Sequence, residues 1–164
     1  HWAKDPGIRA KLSNARGETV AEKPSFRDAF KRRRCLVPAD GFYEWKTEGR
    51  QKQPYYFSLK SGEPFALGGV WESWRAPEGA ILRTCCLITT GPNDIMLPVH
   101  DRMPVIVSPD DYEAWLTGEA SAAQALVKPF PTDEMQAWAV SRRVSRSGEE
   151  GADLIRPAND AHAE

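Results

Sequence analysis

A histidine and an arginine stand two residues apart in the segment His100-Asp101-Arg102, between two apolar, strand-like runs. Imidazole exchanges protons near neutral pH, and arginine binds phosphate or carboxylate groups through its planar fork of donors. Short connections on a rigid scaffold are where catalytic and binding residues concentrate. The motif therefore predicts a proton-transfer or anion-binding site around His100.

A second candidate is Glu44, which lies among large aromatic residues in the strand-like segment 42–45. Aromatic neighbours remove water from a carboxylate, and this raises its pKa toward the range useful for general acid–base catalysis. The alternative is a structural glutamate on an edge strand, paired with Lys46 or Lys52. The segment alone does not decide between these two interpretations.

A third cluster holds Asn14 and Arg16 two positions apart, followed by Gly17. The asparagine amide both donates and accepts hydrogen bonds, and the arginine supplies a rigid cationic fork. In an extended strand both side chains would point the same way. The alternative is an ordinary turn, which Asn and Gly both favour.

The three cysteines, Cys35, Cys85 and Cys86, are weak candidates for a nucleophile, because each falls in a strand-like run where cysteine acts as a small core residue. Their odd number gives a poor disulfide framework and predicts a reducing cytoplasm. The remaining histidines, His1 and His162, are far from His100, and no metal-ligand spacing occurs. The sequence therefore predicts no metal site.

The charges are unevenly distributed along a chain whose net charge is −1. The first 60 residues carry 14 Lys and Arg against 7 Asp and Glu, and the rest of the chain is acidic. A helix predicted over 24–34 would present a cationic stripe formed by Arg27, Lys31 and Arg34. This pattern favours an anionic partner, with nucleic acid as the first candidate; a solvated face is the alternative.

Hydrophobic periodicity and turn residues predict a mainly antiparallel β core with a few peripheral helices, which is an α+β fold. Further helices are expected over 109–116, with Ser108 as the cap, and over 120–127. No apolar run is long enough for a membrane helix. Strands are predicted at 35–37, 41–46, 55–59, 65–74, 83–90, 105–107, 138–140 and 153–155.

Several short motifs follow one another along the chain: Asn14-Ala15-Arg16 with Glu18-Thr19, the segment 35–45, Leu87-Ile88-Thr89-Thr90, His100-Asp101-Arg102-Met103-Pro104, Val140-Ser141 with Val144, and Leu154-Ile155 with Pro157. In this order and at about this spacing they resemble the SOS-response-associated peptidase (SRAP) family, over nearly the whole chain. The resemblance implies a barrel-like sheet. We expect one domain over 1–157 and a tail over 158–164.

The resemblance also implies a function in the response to DNA damage. Proteins of this family bind abasic sites in single-stranded DNA and at single-strand/double-strand junctions. In them an N-terminal cysteine forms a covalent thiazolidine crosslink with the opened sugar and takes part in an autopeptidase reaction. No cofactor is implied. The implied partner is DNA, with no membrane contact; a monomer at the nucleoid in the cytoplasm is expected.

The family roles carry over to individual positions of this chain. Asn14 resembles the asparagine that orients the cysteine and the sugar, while Glu44 and His100 resemble the residues that handle protons on the sugar. The implied DNA contacts are made by Arg16 and Arg102 on phosphates and by Trp2 near the DNA groove. Ser145 and Arg146 stand where the family has an asparagine.

One departure from the family pattern lies at the start of the chain. Family chains begin with Cys-Gly-Arg and early core strands, whereas this sequence begins at His1, in a region that resembles a later family segment. We expect a sequence that starts here to lack the nucleophile and to be less stable than an extended one. Two other classes stay open: a non-covalent binder of single-stranded DNA, and a hydrolase that uses Glu44 and His100 on a small substrate.

Overall fold

The computed structural model describes residues 12–76 and 78–158, and these residues form an α+β protein. The chain divides into two compact units. Unit 1 comprises the described parts of 1–38, 65–91 and 103–130, and unit 2 those of 39–64, 92–102 and 131–164. The strands are β1 (Asn14–Arg16), β2 (Arg34–Ala39), β3 (Phe42–Glu48), β4 (Gln51–Leu59), β5 (Phe65–Arg75), β6 (Ile81–Thr90), β7 (Met103–Pro104), β8 (Ile106–Val107) and β9 (Met135–Ala139); the helices are α1 (Arg27–Arg32), α2 (Tyr112–Thr117) and α3 (Ala120–Ala125).

Unit 1 is built on a mixed sheet with the strand order β1-β6-β5-β2, to which β7 adds beside β6 and β8 beside β5. The pair β5–β6 is antiparallel and places Val70 opposite Cys86, whereas the short β1 runs parallel to β6. Trp115 of α2 is fully buried and packs edge-on against Phe30 of α1, with ring centroids 6.2 Å apart. The helices thus cover the apolar side of the sheet.

The first helix is shorter than the sequence predicts. Its apolar residues Ala29 and Phe30 are buried, as the periodicity indicates, but the helix spans only Arg27–Arg32. Arg34 does not join an exposed cationic stripe: it is the first residue of β2 and is buried. Its guanidinium donates to the carbonyl oxygens of Phe30 (2.6 Å), Trp115 and Gly118. Backbone carbonyls therefore supply the polar partners that a buried arginine requires.

Unit 2 is built on an antiparallel sheet with the order β3-β4-β9. The hairpin between β3 and β4 turns at Gly49, whose φ of +61° lies in the left-handed region that glycine adopts at no steric cost. Phe57 is fully buried and stacks on Phe42 with ring centroids 5.2 Å apart. These aromatic contacts hold β3 and β4 in the register that pairs Glu44 with Tyr55.

Three further sequence predictions need correction. Among the described residues the two sheets are open, because neither strand path returns to its first strand, so the expected barrel-like sheet does not occur there. The segment predicted as a last strand at 153–155 belongs to a 3₁₀ turn, Ala152–Ile155, which follows Gly151 at a φ of +138°. The residues 109–116 divide into a 3₁₀ turn and α2, and the Ser108 side chain makes no capping hydrogen bond.

The described part of the chain contains no helix with the length and apolarity to cross a membrane. Of the predicted tail over 158–164, only Ala158 lies within the described residues.

Candidate active site

A cleft of about 600 Å³ opens on unit 2 beside the first residues of the β3–β4 hairpin. Its lining combines one carboxylate, one imidazole, two cationic side chains and one indole, which is a composition suited to a polar, anionic ligand. The lining residues are Glu44, Trp45, Gln51, Lys52, His100, Arg142 and Ser145.

Glu44 is the half-buried acid of this cleft. Burial raises its pKa above the ordinary glutamate value, while the charges of His100 and Lys52 act in the opposite direction. Among the described residues Glu44 forms no ion pair within 4 Å with Lys46 or with Lys52, and Lys46 pairs with Glu48 at 3.6 Å. The expectation of a desolvated carboxylate is therefore confirmed, and the alternative of a simple Lys–Glu pair is not. A carboxyl group of this kind retains its proton to a higher pH and can act as a general acid.

His100 is oriented by the backbone of its own loop. Its Nδ1 accepts a hydrogen bond from the Arg102 N–H at 3.0 Å and lies 3.1 Å from the Arg102 carbonyl oxygen. Accepting the N–H corresponds to the neutral tautomer with its proton on Nε2, whereas donating from Nδ1 to the carbonyl corresponds to the neutral tautomer whose Nε2 is free to accept a proton. The protonated ring can instead donate from Nδ1 to that carbonyl or to Asp101, whose Oδ1 is 3.4 Å away. The loop therefore offers hydrogen-bond partners to both protonation states.

Asn93 holds the turn that leads into His100, and the sequence analysis did not single it out. It is buried, its Oδ1 accepts from the Met96 N–H at 3.1 Å, and its Nδ2 contacts the Met135 sulfur at 3.3 Å. The His100 N–H in turn donates to the Met96 carbonyl at 3.0 Å. The pair Gly91-Pro92, which precedes Asn93, was the sequence signal that could have identified this turn. Gly and Pro mark turns, and an Asn side chain stabilises them.

Trp45 is tied to the 3₁₀ turn Arg142–Ser145, which follows β9. Its indole N–H donates to the Ser145 hydroxyl at 2.9 Å. This residue is the serine found where the family resemblance leads one to expect asparagine, so the position retains a polar acceptor for the indole. The two residues are 100 positions apart in the sequence, so no local sequence pattern predicts this contact.

The remaining predicted site residues are distributed over both units. Arg102 adjoins His100 in unit 2, whereas Asn14 and Arg16 lie in unit 1, on β1. Both of these β1 side chains are exposed, with Ala15 buried between them, so they share one face as predicted. Trp2 lies outside the described residues.

The cysteines of the described chain do not have the properties of activated nucleophiles. Burial raises the pKa of Cys35 to about 11 and that of Cys86 to about 12, whereas an attacking thiol needs a lowered pKa. Cys85 is exposed on β6, next to the buried Cys86. No group of three or more His, Cys, Asp or Glu residues in the described ranges is arranged to hold a metal ion.

The fold and the cleft define an α+β protein with a carboxylate–imidazole site beside cationic side chains, and comparison with known proteins identifies its family. The family model "SOS response associated peptidase (SRAP)" matches residues 1–147, and this chain belongs to that family.

The relatives include the abasic site processing protein YoqW of Bacillus subtilis, which is 44% identical over 158 residues covering 94% of this chain and 70% of the relative. The abasic site processing protein YedK of Escherichia coli is 30% identical over 164 residues, which cover 95% of this chain and 69% of that relative. A crystal structure of a protein from Bacteroides thetaiotaomicron superimposes with a TM-score of 0.88 at 31% identity, covering 96% of this chain and 72% of the other. These similarities confirm the α+β fold and the family predicted from the motifs.

Proposed function

We propose that this protein processes abasic sites in single-stranded DNA, and that the cleft of unit 2 receives the abasic sugar. One observation carries the proposal: Glu44 and His100 line the same cleft, close enough for the histidine charge to influence the carboxyl pKa. Relatives that are 30–44% identical carry the name abasic site processing protein, which supports DNA as the substrate.

The proposed chemistry is proton transfer on the abasic sugar. The sugar closes as a hemiacetal and opens to an aldehyde when its hydroxyl loses a proton and its ring oxygen gains one. In the neutral tautomer whose Nδ1–H donates to the Arg102 carbonyl, His100 accepts the hydroxyl proton at Nε2. Glu44 donates to the ring oxygen, since burial keeps its carboxyl protonated to a higher pH. Two groups with different environments can thus serve as base and acid in the same step.

The contacts outside the cleft stay part of the proposal. Arg16 and Arg102 would bind phosphates, Asn14 would orient the sugar, and Trp2 would lie near the DNA groove. The covalent step implied by the family is addition of the amine and thiol of an N-terminal cysteine to the aldehyde, with loss of one water. We propose this crosslink and the associated peptidase reaction for the complete gene product, which its DNA partner would bring to the nucleoid.

A denaturing gel tests the proposed function. This chain and the complete gene product are each incubated with a single-stranded oligonucleotide that carries one abasic site, and with the same oligonucleotide intact. The proposal expects binding that prefers the abasic strand and weakens with salt, and a band that survives denaturation with the complete product.

The two alternative classes give other results in the same experiment. Salt-sensitive binding with no surviving band for either protein would indicate a non-covalent binder. Absence of any preference for the abasic strand would contradict the proposal and favour a hydrolase of small substrates.

A further inference from the structure

Two cationic side chains, Lys52 and Arg142, line the same cleft as Glu44 and His100. We propose that Lys52 and Arg142 form an anion-binding subsite that takes one backbone phosphate of single-stranded DNA, next to the nucleotide held at Glu44 and His100. The inference rests on the proposed function and deepens it, because neither residue belongs to the set that the family resemblance carries over.

The two neighbouring arginines of the turn after β9 have different partners. Arg143 is neutralised by two carboxylates, Glu149 at 2.8 Å and Asp153 at 2.5 Å. Arg142 instead donates from Nη1 to the side-chain oxygen of Gln51. An amide oxygen orients the guanidinium without cancelling its charge, so Arg142 remains available to an anion in the cleft.

Lys52 shows the same contrast with its neighbour Lys46. Lys46 forms an ion pair with Glu48 at 3.6 Å, whereas Lys52 forms no ion pair within 4 Å among the described residues. Lys52 stands opposite Thr47 in the β3–β4 pairing and lies close enough to lower the pKa of Glu44. Its ammonium group therefore adds an uncompensated positive charge beside the acid.

The charge of the cleft favours a phosphodiester over a cation or a neutral ligand. Two permanent positive charges face one carboxyl group, and burial favours the neutral form of that carboxyl. Arginine and lysine are the usual partners of nucleic-acid phosphates, and such contacts fix the register of the strand. A phosphate held at this point would set the position of the adjoining sugar relative to Glu44 and His100.

Replacement of single phosphates by neutral methylphosphonates tests the subsite. Binding to an abasic single-stranded oligonucleotide is measured with the substitution at each of the phosphates around the site, for the unchanged chain and for K52Q/R142Q. We expect the methylphosphonate at one position to weaken binding about tenfold in the unchanged chain. The same substitution should have no effect on binding by K52Q/R142Q. The slope of log K against log salt should fall by about 0.7 in the variant.

Matched variants separate the subsite from a general loss of charge and from misfolding. K60Q/R156Q removes two exposed cations of unit 2 outside the cleft and should keep the phosphate effect. K52R/R142K retains both charges and should keep it too. K52Q alone breaks no hydrogen bond of the described structure and should reduce the phosphate effect partially. This single variant keeps the test valid if R142Q lowers the thermal midpoint.

Other outcomes overturn the inference. An equal methylphosphonate effect in the unchanged chain and in K52Q/R142Q would show that the phosphate binds elsewhere. Competition by millimolar inorganic phosphate without any methylphosphonate effect would indicate a free anion rather than the DNA backbone. Equal binding of abasic and intact strands would contradict the proposed function alone, since a phosphate effect lost in K52Q/R142Q would still support the subsite.

Discussion

At the scale of single residues, the site depends on the different environments of Glu44 and His100. Glu44 is half-buried and its pKa is raised, whereas the ring of His100 is held by backbone groups of Arg102. The sequence predicted the desolvated acid because the flanking aromatics are adjacent in the chain. It could not predict the contribution of Arg142 or Ser145, which reach the cleft from about 90–100 residues away.

The raised pKa of Glu44 predicts a specific pH dependence of stability. The folded chain binds this proton more tightly than the unfolded chain, so the stabilisation is present at low pH and is lost as the pH rises through the folded-state pKa. We expect the thermal midpoint of E44Q, compared with that of the unchanged chain, to be relatively higher at about pH 7 than at about pH 4.

The substitution E63Q, on the exposed connection between β4 and β5 in the same unit, is the control for this measurement. A thermal midpoint difference between E44Q and the unchanged chain that stays constant over this pH range would contradict the raised pKa.

At the scale of elements, local patterns predicted most of the strands, but neither the short length of the first helix nor the 3₁₀ turn Ala152–Ile155. Alternation and turn residues placed β3, β5 and β6 close to their observed bounds, whereas β4 begins at Gln51 rather than at the predicted residue 55. The predicted helix over 24–34 was too long, because a run of arginines favours helix locally and contains no stop signal. The chain enters β2 at Arg34 instead, through hydrogen bonds to Trp115 and Gly118 that only tertiary structure provides.

Arg34 is accordingly expected to be a major stabilising residue of unit 1. Substitution by Met would leave the carbonyls of Phe30, Trp115 and Gly118 without this donor, and we expect a loss of about 2–3 kcal/mol in the free energy of unfolding. Chemical denaturation measures this loss. R32Q, at the exposed end of α1, should change stability by less than about 0.5 kcal/mol. Equal effects of the two substitutions would show that Arg34 has no such structural role.

At the scale of the whole molecule, charge distribution matters more than total charge. The net charge of −1 gives no general attraction to DNA, so the proposed binding would depend on local groups such as Lys52 and Arg142. The charge asymmetry along the chain indicated an anionic partner, but the positive charges of the cleft come from both the basic and the acidic parts of the sequence.

The parallel pairing of β1 with β6 joins segments more than 70 residues apart, so local sequence patterns could not predict it. The prediction of a single domain over 1–157 stays a prediction.

The central claim is that Glu44 and His100 move protons on an abasic sugar, and single-turnover kinetics tests it most directly. The complete gene product is mixed in excess with abasic single-stranded DNA, and both the rate of covalent product formation and the dissociation constant are measured for the unchanged protein, E44Q and H100A. We predict a rate about 100-fold lower in each variant, with affinities within about threefold of the unchanged protein because phosphate contacts dominate binding. Unchanged rates in both variants, or a fall in rate matched by an equal fall in affinity, would contradict the account.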